Sequence, residues 1–65
     1  MNIKQIRYFV AVFESGSFSI AAKTCGVTVQ AVSKAIHELE NGLGEHVFER
    51  TNRGAAPTAV GRAFY

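Results

Sequence analysis

The sequence predicts a mainly α fold, in which a three-helix core is followed by a small β-hairpin and the start of a fourth helix. Apolar residues recur at helical spacing in three segments that end in glycine. Each segment follows an Asn, Ser or Thr, the residue types that cap helix N-termini. After Gly44 the helical pattern gives way to a short apolar and charged run, an Asn-Arg-Gly turn and a proline. That change indicates a hairpin, and a chain of 65 residues has room for one small domain.

The first helix is predicted to begin after Asn2 and to end at Gly16. Apolar residues recur along it at helical spacing and predict a stripe that faces the core. That stripe consists of Ile3, Ile6, Phe9, Val10 and Phe13.

A tight turn separates the second predicted helix from the third. Ser17 caps the second helix, Gly26 occupies the turn, and Thr28 caps a third helix from about Val29 to Asn41 or Leu43. Cys25, at the end of the second helix, is expected to be a buried structural thiol, because neither a redox partner nor a cause of a lowered pKa is evident.

The third predicted helix has two distinct faces. Its apolar stripe consists of Val32, Ile36, Leu39 and Leu43, and its opposite face carries Gln30, Ser33, Lys34, His37 and Asn41. Short, hydrogen-bonding and mildly basic side chains suit the major groove of DNA. The alternative interpretation is an ordinary solvated helix face.

A hairpin and the start of a fourth helix follow. The first strand is predicted over Val47–Arg50, the turn over Thr51–Gly54 and the second strand over Ala55–Pro57. Thr58 then caps a helix over the last residues of the chain. This order of elements is that of a winged helix-turn-helix.

Composition and charge narrow the class of partner. A net charge of +2 favours an anionic partner such as nucleic acid. The single cysteine fits a reducing compartment. The N-terminus lacks a signal-peptide pattern, and no apolar run approaches a membrane span. We therefore expect a cytoplasmic location and no membrane association.

The sequence predicts no catalytic residue, no metal site and no cofactor. The run from His37 to Asn41 approaches a zinc-protease helix motif, but Asn41 stands where that motif has its second histidine. The serines have no base–acid arrangement around them, and three small helices offer little room for a substrate pocket. We therefore expect that the chain is not an enzyme.

Three segments together resemble the N-terminal DNA-binding domain of the LysR-type transcriptional regulators. IRYFVAVFESGSFSIAA is similar to the family's first helix and its entry to the second. VSKAIHELENGLGEHVFER resembles the recognition helix and the start of the wing, and PTAVGRAFY resembles the start of the linker helix. The resemblance covers essentially the whole chain.

The resemblance implies sequence-specific binding to double-stranded DNA, with the third helix in the major groove and the wing near the minor groove. The expected DNA-binding residues are Thr28, Val29, Gln30, Ser33, Lys34, His37, Arg50 and Arg53, of which the two arginines flank the wing tip. The alternatives are a winged-helix module that binds a protein partner and a non-functional remnant of a longer regulator.

The resemblance also implies a division of the chain and an assembly. Residues 1–57 would form the winged helix-turn-helix and residues 58–65 a truncated start of the linker and dimerisation helix. A full-length protein would be a homodimer, whereas this chain is expected to be a monomer or a weak dimer. The inducer-binding domain of the family is expected to be absent from this chain.

Overall fold

Four helices and a two-stranded antiparallel sheet make up the computed structural model, which describes residues 2–65. In chain order the elements are α1 (Ile3–Ser15), α2 (Phe18–Cys25), α3 (Val29–Leu43), β1 (Phe48–Thr51), β2 (Gly54–Pro57) and α4 (Ala59–Phe64). The predicted mainly α winged helix-turn-helix is confirmed.

Each helix begins at the cap that the sequence predicted. The side chains of Asn2, Ser17, Thr28 and Thr58 accept hydrogen bonds from the backbone N–H three residues further on. At Asn2 the capping is reciprocal, because the Gln5 side chain accepts from the Asn2 backbone N–H. Local hydrogen bonding of the first turn therefore fixes where every helix starts.

The core lies where α1, α2 and α3 meet the start of β1. Five large side chains in it are almost completely buried: Phe9, Val12, Val32, Leu39 and Val47. The predicted apolar stripe of α3 is confirmed at Val32, Ile36 and Leu39, whereas Leu43 at the helix end is only half-buried.

The predicted stripe of α1 is confirmed only in part: Phe9 is buried and Val10 and Phe13 are half-buried against the core, but the first two residues of the stripe are exposed. Ile3 and Ile6 are 78% and 40% exposed, and the buried face consists of Gln5, Tyr8, Phe9 and Val12. The observed face is displaced by one residue, about 100° around the helix axis, from the predicted one. Helix α1 carries apolar residues on two overlapping faces, and Phe9 belongs to both of them.

Cys25 also differs from expectation. The thiol is free, as expected, but the residue is half-buried and not fully buried. Cys25 is the last residue of α2, and its neighbours Thr24 and Gly26 are exposed. The end of the helix therefore leaves this side chain at the margin of the core.

The hairpin is tied to the helices at both of its strands. The strands pair from Phe48 with Pro57 to Thr51 with Gly54. The first strand begins and ends one residue later than predicted, and the second begins one residue earlier. Before the first strand and at its first residue, the backbone N–H groups of Val47 and Phe48 donate to the Glu40 carboxylate. On the second strand, the Ala55 N–H donates to the Gly16 carbonyl over 2.9 Å.

Helix α4 folds back onto the domain. Phe64 packs edge-on against Phe9, with ring centroids 5.1 Å apart, and Tyr65 stacks on Phe13 at 4.0 Å. The Tyr65 hydroxyl donates to the Glu14 carboxylate, and this hydrogen bond raises the pKa of the Tyr65 phenol above its ordinary value. Within residues 2–65, every helix is too short or too polar to cross a membrane.

Candidate nucleic-acid interface

The outer face of α3 presents most of the predicted site residues to solvent. Thr28, Val29, Gln30, Lys34 and His37 are exposed, and Ser33 beside them is half-buried. They share one side of the helix because the opposite side is anchored in the core. Gln30, Lys34 and His37 are spaced as i, i+4 and i+7 and so form one line along the helix.

Thr28 has an observed structural role. Its hydroxyl oxygen accepts a hydrogen bond from the Ala31 backbone N–H over 3.1 Å and so caps α3. The hydroxyl hydrogen is left to donate outward, at the helix terminus where unpaired N–H groups favour an anion. Capping and contact with a phosphate are therefore compatible at this residue.

Arg53 occupies the turn of the wing. Asn52 and Arg53 connect the paired residues Thr51 and Gly54, and the Arg53 backbone N–H donates to the Thr51 hydroxyl over 3.2 Å. Its side chain is exposed and forms no hydrogen bond or ion pair with any residue from 2 to 65. The turn is thus braced while the guanidinium remains available to a partner.

Arg50 does not flank the wing tip, which corrects the expectation from the sequence. It lies within β1, and its guanidinium carbon is 4.1 Å from the centre of the Phe18 ring. Its Nη2 donates a hydrogen bond to the Ser33 hydroxyl over 2.9 Å. The side chain therefore spans from the wing across α2 to α3, because an aromatic face and a hydroxyl on the helices both attract it.

Glu40 positions the wing, a role that no sequence pattern predicts. One carboxylate oxygen accepts from the Val47 and Phe48 N–H groups over 2.8 and 3.4 Å, and the other lies 3.3 Å from His46 Nδ1. Its spacing from the apolar stripe of α3, four residues after Ile36, could have placed it at the edge of the core. No local pattern indicates that it binds the strand.

The outer face of α3 and the wing enclose an open groove. Lys34, His37 and Arg50 line this groove together with Ser33. The Glu40 carboxylate lines the groove as well, but it accepts hydrogen bonds from the backbone of the wing, while Lys34 and Arg50 supply the cationic groups. Nowhere in the described part of the chain do three His, Cys, Asp or Glu side chains form a group able to hold a metal ion.

A capped helix pair with a tight turn, an exposed polar face on the following helix and a basic hairpin wing define a winged helix-turn-helix domain. The family model for bacterial regulatory helix-turn-helix proteins, lysR family, matches residues 3–62. The chain belongs to this family.

Curated relatives support the assignment over the whole chain. The HTH-type transcriptional regulator TfdT of Cupriavidus pinatubonensis is 42% identical over 64 residues, which is 98% of this chain and 28% of the relative. The HTH-type transcriptional regulator AceR of Acinetobacter baumannii is 45% identical over 65 residues, which is all of this chain and 22% of the relative. The chain therefore spans roughly a quarter of the length of these regulators.

Solved structures match the fold closely. The crystal structure of a CbnR DNA-binding domain in complex with DNA superposes with a TM-score of 0.95 at 39% identity, over 98% of this chain and 74% of that chain. A BenM DNA-binding domain in complex with catB site 1 DNA also gives a TM-score of 0.95, at 38% identity, over 100% of this chain and 73% of that chain.

Proposed function

We propose that the chain binds double-stranded DNA, with the outer face of α3 in the major groove and the wing near the minor groove. This proposal rests mainly on the positions of Gln30, Lys34 and His37. They are exposed along one face of α3, and the opposite face of that helix is buried in the core. A rigid helix with short polar side chains fits a major groove. The likeness to the CbnR and BenM domains, both solved in complex with DNA, supports DNA as the partner.

The site residues divide into those that read bases and those that hold the backbone. Gln30 carries the side-chain amide that pairs with adenine through two hydrogen bonds, and Ser33 offers a hydroxyl. Lys34, His37 and the hydroxyl of Thr28 would contact phosphates. Val29, which is exposed at the start of α3, would contact a thymine methyl group. Arg53 would reach the minor groove, where the narrow groove concentrates negative potential.

Fluorescence anisotropy of labelled duplex DNA across a salt series tests this proposal. Each phosphate that the protein neutralises steepens the fall of log affinity against log salt by about 0.9. Gln30→Ala should lower preference at particular base pairs by about 1–3 kcal/mol. Lys34→Ala should weaken binding to all sequences and reduce the slope by about one.

Two results would contradict the proposal. The first is the absence of binding to any duplex at low salt. The second is an equal loss of affinity for every DNA sequence in both variants, which would show that Gln30 does not contact a base. Thr24→Ala is a suitable control, because Thr24 is exposed near the end of α2 and belongs to neither group. It should change neither the slope nor the preference.

The role that we propose is that of the DNA-binding part of a longer transcriptional regulator. Residues 1–57 would constitute the DNA-binding unit and residues 58–65 the start of the linker helix. In this role the chain performs no catalysis, and it acts in the cytoplasm, where the bacterial chromosome lies. The curated relatives that it matches are transcriptional regulators, which supports this assignment.

We further propose that a full-length regulator would be a homodimer, whereas the 65-residue chain itself is a monomer or a weak dimer. Val60 and Phe64, the apolar side chains of α4, pack against the chain's own core. Little of this short helix is left to approach the roughly 1,200 Å² that a stable interface buries. Sedimentation equilibrium at micromolar concentration should give the monomer mass. A dimer that persists on dilution would contradict the proposal.

A further inference from the structure

We propose that Arg50 is a positioning residue that makes Ser33 a hydrogen-bond donor toward DNA. Ser33 would then select a base edge that carries an acceptor at the position it faces, such as guanine N7 or O6, or thymine O4. The inference rests on the proposed function and deepens it, because it specifies which chemistry one residue of α3 reads.

The position of Arg50 follows from the pleat of β1. Alternate residues of a strand share a face, so Phe48 and Arg50 both point from the wing toward the helices. Phe48 enters the core, where its ring packs edge-on to Phe18 with centroids 6.1 Å apart. The buried Phe18 ring is thereby fixed as a platform, and the Arg50 guanidinium lies over it at 4.1 Å.

Arg50 determines how the Ser33 hydroxyl can bond. A guanidinium has only donors, so the 2.9 Å contact between Arg50 Nη2 and Ser33 Oγ occupies a lone pair of the hydroxyl. The positive charge also repels the hydroxyl hydrogen, which therefore points away from Arg50. Within residues 2–65 the Ser33 hydroxyl donates to no other group, so its hydrogen is left for a partner in the groove.

The direction of this hydrogen bond has a consequence for sequence preference. A free serine hydroxyl accepts or donates equally well and distinguishes bases poorly. With one lone pair engaged and a cation beside it, Ser33 favours an acceptor and disfavours the amino groups of cytosine or adenine. The effect needs no direct contact between Arg50 and a base.

A double-mutant cycle on one DNA site tests the proposal. The site is a duplex selected by the wild-type chain from a random-sequence library, and anisotropy then compares it with duplexes changed at one base pair each. Ser33→Ala should reduce the preference at a single base pair by about two- to tenfold, the value of one hydrogen bond. Arg50→Gln should reduce the preference at that same base pair.

The two effects should not add in the double variant, because both remove the same interaction. Arg50→Lys retains a charged donor and should restore part of the preference. Arg53→Gln provides the matched control: it removes the other wing arginine, which does not contact Ser33, and its effect should add to that of Ser33→Ala. Replacing a selected guanine by 7-deazaguanine should weaken wild-type binding only where N7 is the acceptor.

Two outcomes would overturn the inference while leaving DNA binding intact. One is an even loss on all duplexes for Arg50→Gln that adds to the effect of Ser33→Ala, which would make Arg50 a phosphate contact. The other is a selected site in which Ser33 discriminates in favour of a donor. If the wild-type chain selects no DNA, the proposed function fails, and the reading role of Ser33 fails with it.

A measurement without DNA tests the contact separately. Nitrogen-15 NMR of the Arg50 guanidinium in the free chain should show slowed rotation that Ser33→Ala abolishes and Arg53→Gln leaves unchanged. Free rotation of the guanidinium in the wild-type chain would show that Arg50 does not hold Ser33 and would overturn the proposal.

Discussion

Leu39→Ala is expected to destabilise the domain by about 2–5 kcal/mol, which is a large part of the stability of any small domain. Leu39 is 1% exposed and lies in the buried stripe of α3. Removal of its side chain leaves a cavity that the surrounding side chains fill only in part, because a close-packed core relaxes incompletely. Phe48→Ala should act similarly, because Phe48 connects the wing to the same core. Thermal melting followed by circular dichroism measures both changes.

Ile3→Ala is the matched control for this prediction. It also shortens an aliphatic side chain within a helix, but Ile3 is 78% exposed and contributes little buried surface. Its midpoint should stay within a few degrees of the wild type, since surface changes are usually within about 0.5 kcal/mol. An unchanged midpoint for Leu39→Ala would mean that α3 is rotated about its axis, and the assignment of its outer face would fail as well.

Gly54→Ala is expected to displace the wing and to lower stability by about 3 kcal/mol or more. Gly54 has a φ of 131°, a conformation that side chains other than glycine rarely adopt. An added Cβ would also meet the Gly16 carbonyl oxygen, which accepts the hydrogen bond from Ala55. The Gly16 carbonyl belongs to the backbone and cannot turn aside as a side chain could. Relief of this clash therefore requires β2 to move away from the turn between α1 and α2. DNA affinity should therefore fall together with the melting midpoint.

Alanine substitutions at two other glycines distinguish the effect of a positive φ from the effect of a steric clash. Gly26→Ala meets no atom within 4 Å but has a φ of 70°, so it should show only the backbone strain of about 1–2 kcal/mol. Gly42→Ala lies within α3 in open space and should stabilise the helix by about 0.5–1 kcal/mol. If Gly54→Ala had the same melting midpoint as Gly26→Ala and the same DNA affinity as the wild type, the contact between the wing and Gly16 would contribute neither to stability nor to DNA binding.

The sequence predicted most accurately what is decided locally. A capping side chain bonds to an N–H three residues away, so Ser17, Thr28 and Thr58 could each be recognised from a few neighbouring letters. The stripe of α3 was equally clear, because only one of its faces is apolar. The outer face of that helix, with Gln30 and Lys34, follows directly from the stripe.

What the sequence left open depends on contacts between elements. Helix α1 has two apolar faces, and only packing against α2 and α3 decides that Tyr8 is buried and Ile3 exposed. The sequence puts Arg50 beside the wing tip, because strand length and turn position do not reveal that the Phe18 ring lies within reach of its side chain. The hydrogen bonds from the start of the wing to Glu40 join two different elements, so the periodicity of apolar residues in the sequence cannot predict them.

The most direct test of the account is to map the DNA contact surface by NMR. Amide chemical shifts of the nitrogen-15-labelled chain would be followed while duplex DNA is added at moderate salt. We expect the largest changes on residues 28–37, along the outer face of α3, and on Asn52 and Arg53 at the wing turn. Shifts confined to the exposed face of α1 around Ile3 and Ile6, with α3 unperturbed, would contradict it.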